Sequence, residues 1–193
     1  WYHIVFAIDT TQGTASNRAK LYVNGVQETS FTTSDYPVQD TTFLDSGDTL
    51  QVGRYTATNG NNRYFDGQLA HVHFVDGTAY TPSTFGETDS TTGIWVPKPS
   101  PTVTYGANGF FLKFDNSANM GLDSAGSNNL TTSGTIIQNK DTPSNNFAKL
   151  NFNDIAGTND IILANTGTTT MQTSSVGDYG IRSTLAATTG KYY

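Results

Sequence analysis

The sequence predicts an all-β protein, and three observations carry that prediction. Apolar and polar residues alternate with a period of two in several short runs, of which "WYHIVFAIDTT" (1–11) is the first. Asn24-Gly25 lies between two alternating arms, and that dipeptide suits a tight hairpin needing positive φ at both central positions. No segment sustains a 3.6-residue apolar period, so little helix is expected.

Taken in order, residues 1–11 read as a strand rich in β-branched and aromatic side chains. "TQGTASN" (11–17) is a loop, and "RAKLYVNGVQE" (18–28) is the hairpin. Residues 29–48 are polar and turn-rich, "TLQVGRY" (49–55) is a strand, and "ATNGNN" (57–62) is a loop. "RYFDGQLAHVHFVDG" (63–77) reads as one strand that opens near a turn at Asp66-Gly67 and closes at Asp76-Gly77.

After residue 80 the character changes. Residues 81–106 hold four prolines and many turn formers, which predicts an irregular arm with one helical turn at Pro82 to Phe85. "GFFLKFD" (109–115) is a short strand and 116–129 a loop. Residues 130–147 suggest one weak strand, and 148–193 stay polar with apolar beads such as "DIILAN" and "GIRSTLA". The boundary is placed near 80–100, between a compact β part and an extended connector.

Composition excludes several classes of function. Charged residues make up 13% of the chain, against about 25% in ordinary domains. The formal net charge of -6 disfavours nucleic acid and anionic membrane surfaces as partners. No apolar run approaches the ~18 residues of a membrane-spanning helix, so membrane insertion is not expected. There are no cysteines, hence neither disulfides nor thiolate metal ligands. The chain opens on Trp1 in a strand-like run and closes on a strand-like "KYY", as expected of a piece of a longer polypeptide.

A Trp-Tyr-His strand, a Lys-Leu-Tyr-Val-Asn-Gly hairpin, a Val-Gly strand and a Phe-Asp-Gly-x-Leu-Ala strand occur in that order within residues 1–80. This series resembles the second half of a concanavalin A-like jelly roll of the laminin-G/pentraxin type. The resemblance implies a partial jelly-roll sandwich over 1–80, whose first half lies elsewhere in the parent chain or on neighbouring subunits. Such folds serve lectins, adhesion domains, enzymes and virion parts. The continuation "FGETDSTTGIWVPK…YGANGFFLKFDNS…DTPSNNFAKLN" is similar to segments of marine tailed-phage structural proteins. There it leads from a laminin-G-like domain toward a SPRY-like one, which implies that 81–193 is a loop-rich connector with the next domain starting near 181–193.

Three groups of residues are candidates for chemistry. His71 and His73 are two apart, so on a strand they share a face. They are either ordinary sheet-surface residues on the outer or concave face, or part of a ligand or metal site needing further ligands such as His3. Asp115, Asp123, Ser124, Asn128 and Asn129 offer hard oxygens in a stretch resembling a laminin-G calcium loop. The same residue types also make tight turns. Trp95, with Tyr105, Phe110 and Phe111, either stacks on sugar rings or pegs the arm to its neighbours.

Enzymatic motifs are missing. Glu87 and Asp89 in "GETDS" do not form the one-strand acidic pattern of glucanases of this fold, and there is no nucleophile elbow, phosphate loop or His-Glu-x-x-His run. The expectation is a non-enzymatic virion protein, a phage tail fibre or other surface appendage, located on the extracellular virion. No cofactor is expected, with calcium the open case. Its partners would be other copies of itself, other virion proteins and a host-surface glycan. The alternative is an extracellular calcium-dependent lectin or adhesion domain.

Overall fold

The computed structural model describes residues 1–42, 44, 49–57, 60–139, 141–145, 148–156, 161–164, 169–172 and 180–183. The architecture is all-β, built of antiparallel pairs with a single four-residue α-helix among the described residues. Two compact units form, Trp1–Gln138 and Asn139–Tyr193.

The first unit opens with a three-stranded sheet of β1 (Ile4–Ile8), β2 (Ala19–Val23) and β3 (Val26–Glu28), in that order. Asn24 (φ 49) and Gly25 (φ 83) make the tight turn that the Asn-Gly pair predicts. The β1–β2 pairing extends beyond the strand ends, because the Asn24 amide donates to the His3 carbonyl and the His3 amide to Asn24 Oδ1. Arg18 ties the polar loops down: its guanidinium donates to the carbonyls of Gln12, Gly13 and Pro37.

Register decides which side chains share a face. Ile4 pairs with Val23, Phe6 with Leu21, and Val23 with Val26. Directly opposed residues point the same way, so these five form one apolar surface, which Glu28, opposite Leu21, borders. That surface is open: Ile4 is 64%, Phe6 58% and Val26 68% exposed.

The expected strand at 49–55 shortens to β4 (Arg54–Tyr55), which pairs with β5 (Arg63–Tyr64). The expected single strand 63–77 is broken in two. After β5 the chain leaves strand geometry and returns only at β6 (Val72–Phe74). His71, at φ 51, has a left-handed backbone that a strand interior does not allow.

The predicted helical turn is present as α1 (Pro82–Phe85), with Pro82 supplying a preset φ at its start. Residues 81–106 are more regular than expected. They contain a hairpin of β7 (Gly86–Thr88) and β8 (Trp95–Pro97). Its turn is organised by Asp89, whose Oδ1 accepts from the Thr91 and Thr92 amides and the Thr92 hydroxyl. Proline counts missed this because Pro97 ends its strand and Pro82 starts a helix, where neither breaks a needed bond.

β9 (Phe110–Leu112) pairs with β6 and carries the core. Phe110, Phe111 and Leu112 are buried, joined by Phe85 and Met120. Thus residues beyond 80 supply most of the buried apolar side chains packed against β6.

In the second unit, β10 (Leu150–Ala156) pairs with β13 (Gly180–Ser183), and β11 (Ile161–Ala164) with β12 (Thr169–Gln172). The described parts of the beads "DIILAN" and "GIRSTLA", Ile161–Ala164 and Gly180–Ser183, are β11 and β13. Of the weak strand expected within 130–147, the described residues show an isolated bridge between Thr142 and Asn145. The proposed domain start at 181–193 lies outside the described residues except for its first three, which end β13.

Candidate functional site

His73 sits opposite Phe111 in the β6–β9 pair, and the two rings stack with centroids 4.0 Å apart. Tyr105 continues the stack at 6.0 Å from His73, while Phe85 tilts in at 5.0 Å. His73 Nδ1 and the Tyr105 hydroxyl are hydrogen-bonded at 2.8 Å. Burial is the main force pushing the His73 imidazole down to about 4, and the neighbouring His71 and His3 add to it. Tyr105 is pushed up to about 12 by burial and by Asp123. The expectation that His73 is an ordinary surface residue on the outer or concave face of the sheet is therefore corrected. It is a neutral, half-buried member of an aromatic core, since the segment that covers it, 85–111, is far away in sequence.

His71 does not share a strand face with His73. Its ring meets that of His73 edge-on, with centroids 6.4 Å apart, and it also meets Phe111 edge-on at 5.5 Å. Burial, then Lys113, lowers its pKa, while Asp115 opposes them. Among the described residues no group of three metal-ligating side chains converges, here or elsewhere.

Trp95 reaches from β8 to the first sheet. Its indole N–H donates to His3 Nδ1 at 2.9 Å, and the two rings stack with centroids 5.7 Å apart. The indole lies against Gly25 and Gly86, and a Cβ on either glycine would overlap it. Trp95 is thus a peg between two hairpins, and its ring faces are largely used by the protein itself. Phe110 and Phe111 are buried in the core.

The acidic loop is a turn organised around one carboxylate. Asp123 is only 4% exposed. Its Oδ1 accepts from the amides of Phe111 and Ala125, and its Oδ2 from that of Asn128. Burial would raise its pKa, but the N–H donors of Phe111, Ala125, Asn128 and Gly126 outweigh this and hold it below the usual value. Asn129 Oδ1 accepts from the Asp123 amide, and Asn128 turns its NH2 to the carbonyls of Ala107 and Gly109. Ser124 and Asp115 are exposed, and the Ser124 amide donates to Phe111. A calcium ion needs oxygen lone pairs turned toward a common centre. Asp123 and Asn129 turn theirs toward N–H groups instead, so these two do not offer them to an ion.

The carboxylates of the β7–β8 hairpin do not act as a pair either. Asp89 is held in its turn, where the Thr92 side chain is the first cause of its lowered pKa. Glu87 stands exposed on β7 opposite Val96.

A cleft that the sequence did not suggest lies beside the β4–β5 ribbon. It has a volume of about 400 Å³ and is lined by Thr49, Gln51, Arg54, Tyr55 and Thr56. The one cue in the sequence was the clustering of arginine and tyrosine at 54–55 and 63–64.

Residues 1–83 match a laminin G family model described as the concanavalin A-like lectin/glucanases superfamily. That match agrees with the all-β antiparallel architecture. No curated protein matches the chain, and no solved structure does.

Proposed function

We propose that this chain is a non-enzymatic assembly and adhesion module of a virion surface appendage such as a phage tail fibre, acting as a homo-oligomer. The observation that carries this reading is the open apolar face of Ile4, Phe6, Leu21, Val23 and Val26. Apolar patches of this kind on a sheet mark a surface that another sheet covers. The partner proposed is the same face of a second copy, because this face is apolar on β1 and β2 and at Val26 of β3, with Glu28 at its border. The rest of the reading is supported by the low charge of the chain and by carboxylates committed to turns; the virion setting is what the resemblance of 81–193 to phage structural segments implies. The calcium-dependent lectin alternative is not favoured, because Asp123 spends its oxygens on amides.

Sedimentation equilibrium tests the assembly. The wild-type chain is expected to associate, and a Phe6→Ser/Val26→Lys double variant to sediment as a monomer with an unchanged circular dichroism spectrum. A wild type that stays monomeric at high concentration would sink the homo-oligomer reading. A glycan array with intact host cells as a second arm tests adhesion, and binding to neither would end that half.

A further inference from the structure

We propose that the outer edge of β1 pairs with the β1 edge of a second copy, antiparallel and in register about Phe6, so that two sheets join into one. This rests on the homo-oligomer reading and adds an edge contact to its face contact.

β1 stands at one end of the strand order β1-β2-β3. Its bonds to β2 fall on the odd residues: the Asn24 amide donates to the His3 carbonyl, and the Asp9 amide to the Arg18 carbonyl. Bonded and non-bonded pairs alternate along an antiparallel ladder. With Ile4 opposite Val23 and Ile8 opposite Ala19, the N–H and C=O groups of Ile4, Phe6 and Ile8 therefore point away from β2. Among the described residues none hydrogen-bonds to these outward groups. The edge closes just beyond β1, where the Thr10 carbonyl accepts from the Asp40 amide and the Thr10 hydroxyl donates to the Thr41 carbonyl. The free stretch is thus Ile4–Ile8 itself.

The sequence of β1, Ile-Val-Phe-Ala-Ile, is apolar in the same pattern read from either end, with Phe6 at its centre. A two-fold axis through Phe6 sets Phe6 opposite the second copy's Phe6, Ile4 opposite its Ile8 and Val5 opposite its Ala7. Every outward residue then meets an outward residue, and each such pair exchanges two N–H···O=C bonds. A slip of one residue would set outward groups against groups already bonded to β2 and turn the apolar side chains over. In the proposed register Ile4, Phe6 and Ile8, which share the open apolar face, meet apolar side chains across the seam. Natural sheets blunt edges that stay single with charge, proline or shortness. β3, at the other end of the sheet, is three residues long and carries Glu28, whereas β1 is five residues long with neither charge nor proline. That contrast assigns the pairing to β1. A seam this short is marginal alone, so it forms between copies that the face contact already holds. Its two-fold axis is perpendicular to the sheet and that of the face contact parallel to it, which together close a tetramer.

Sedimentation equilibrium of the whole chain, joined to amide hydrogen exchange, tests the seam. The wild type is expected as a tetramer, with the Phe6 amide as protected as that of Val5, which is bonded to β2. Ile8→Pro removes an N–H that β2 does not use, so the sheet itself is expected to keep its circular dichroism spectrum. This variant should sediment as a dimer, with the Ile4 and Phe6 amides exchanging about tenfold faster or more and Val5 unchanged. Ile8→Val keeps the N–H and should stay tetrameric. Should Ile8→Pro fail to fold, the exchange pattern of the wild type decides. A wild type that stops at the dimer, or whose Phe6 amide exchanges freely, overturns the seam and leaves the face contact standing. A tetramer that a folded Ile8→Pro leaves intact overturns it as well. A wild type that stays monomeric ends both.

Discussion

Trp95 and His3, 92 residues apart, are joined by a 2.9 Å hydrogen bond from the indole N–H to the imidazole Nδ1. The contact fastens the β7–β8 hairpin to the end of the first sheet. Trp95→Phe keeps an aromatic peg and loses the bond, so a cost of about 1 kcal/mol is expected. Trp95→Ala loses the half-buried ring as well and should cost about 3 kcal/mol. Gly25→Ala forces a Cβ into the indole at a φ of +83° and should cost at least about 1 kcal/mol. Urea denaturation of the three variants checks the order; a neutral Trp95→Ala would remove the peg.

His73 predicts a loss of stability in mild acid. Its folded pKa of about 4 lies below the ordinary 6.5, so the unfolded chain takes up a proton first as pH falls. The stability contributed by the neutral ring is complete above pH 6.5, declines from there toward 4, and levels below. Allowing for solvent at its open edge, the loss is about 2 kcal/mol or less. His73→Phe should flatten this part of the stability profile. An NMR titration placing the His73 midpoint near 6.5 would contradict the buried stack.

Asp123 gathers backbone amides from both sides of its loop, so Asp123→Ala leaves several buried N–H groups without an acceptor. A loss of about 2–4 kcal/mol is expected in chemical denaturation. The depressed carboxylate pKa means that its contribution is present above the unfolded value and fades as pH falls through the folded one. Because its oxygens face amides, a chelator should leave the thermal midpoint unchanged. A calcium-dependent rise in that midpoint, abolished by Asp123→Ala, would reinstate the ion.

In the second unit, Lys149 and Asp141 form an ion pair whose side chains are 11% and 7% exposed. Lys149→Met should destabilise this unit by about 3 kcal/mol, since it leaves a buried carboxylate without its cation. The double variant Asp141→Leu/Lys149→Met should cost less than the single one. Hydrogen exchange at β10 measures both.

Local elements were legible where local chemistry decides them. Asn24-Gly25 specified its own turn, and Pro82 opened a single helical turn as expected. The strand at 63–77 was misread because alternation continues through residues where the backbone does not: His71 keeps the period but adopts φ 51. The arm at 81–106 is more regular than its composition predicts, because Pro82 and Pro97 fall at element ends and Asp89 builds the turn between two strands.

The candidate sites were less legible, for a reason of distance. The sequence by itself determined an all-β chain, the first hairpin, the lack of an enzyme motif, and which residues carry imidazole, indole or carboxylate. Tertiary structure decided what those groups face: Phe111 and Tyr105 against His73, Gly25 and His3 against Trp95, amides against Asp123. A side chain's charge state and availability depend on its neighbours' burial and hydrogen bonds. Those neighbours come from strands and loops that only folding brings together.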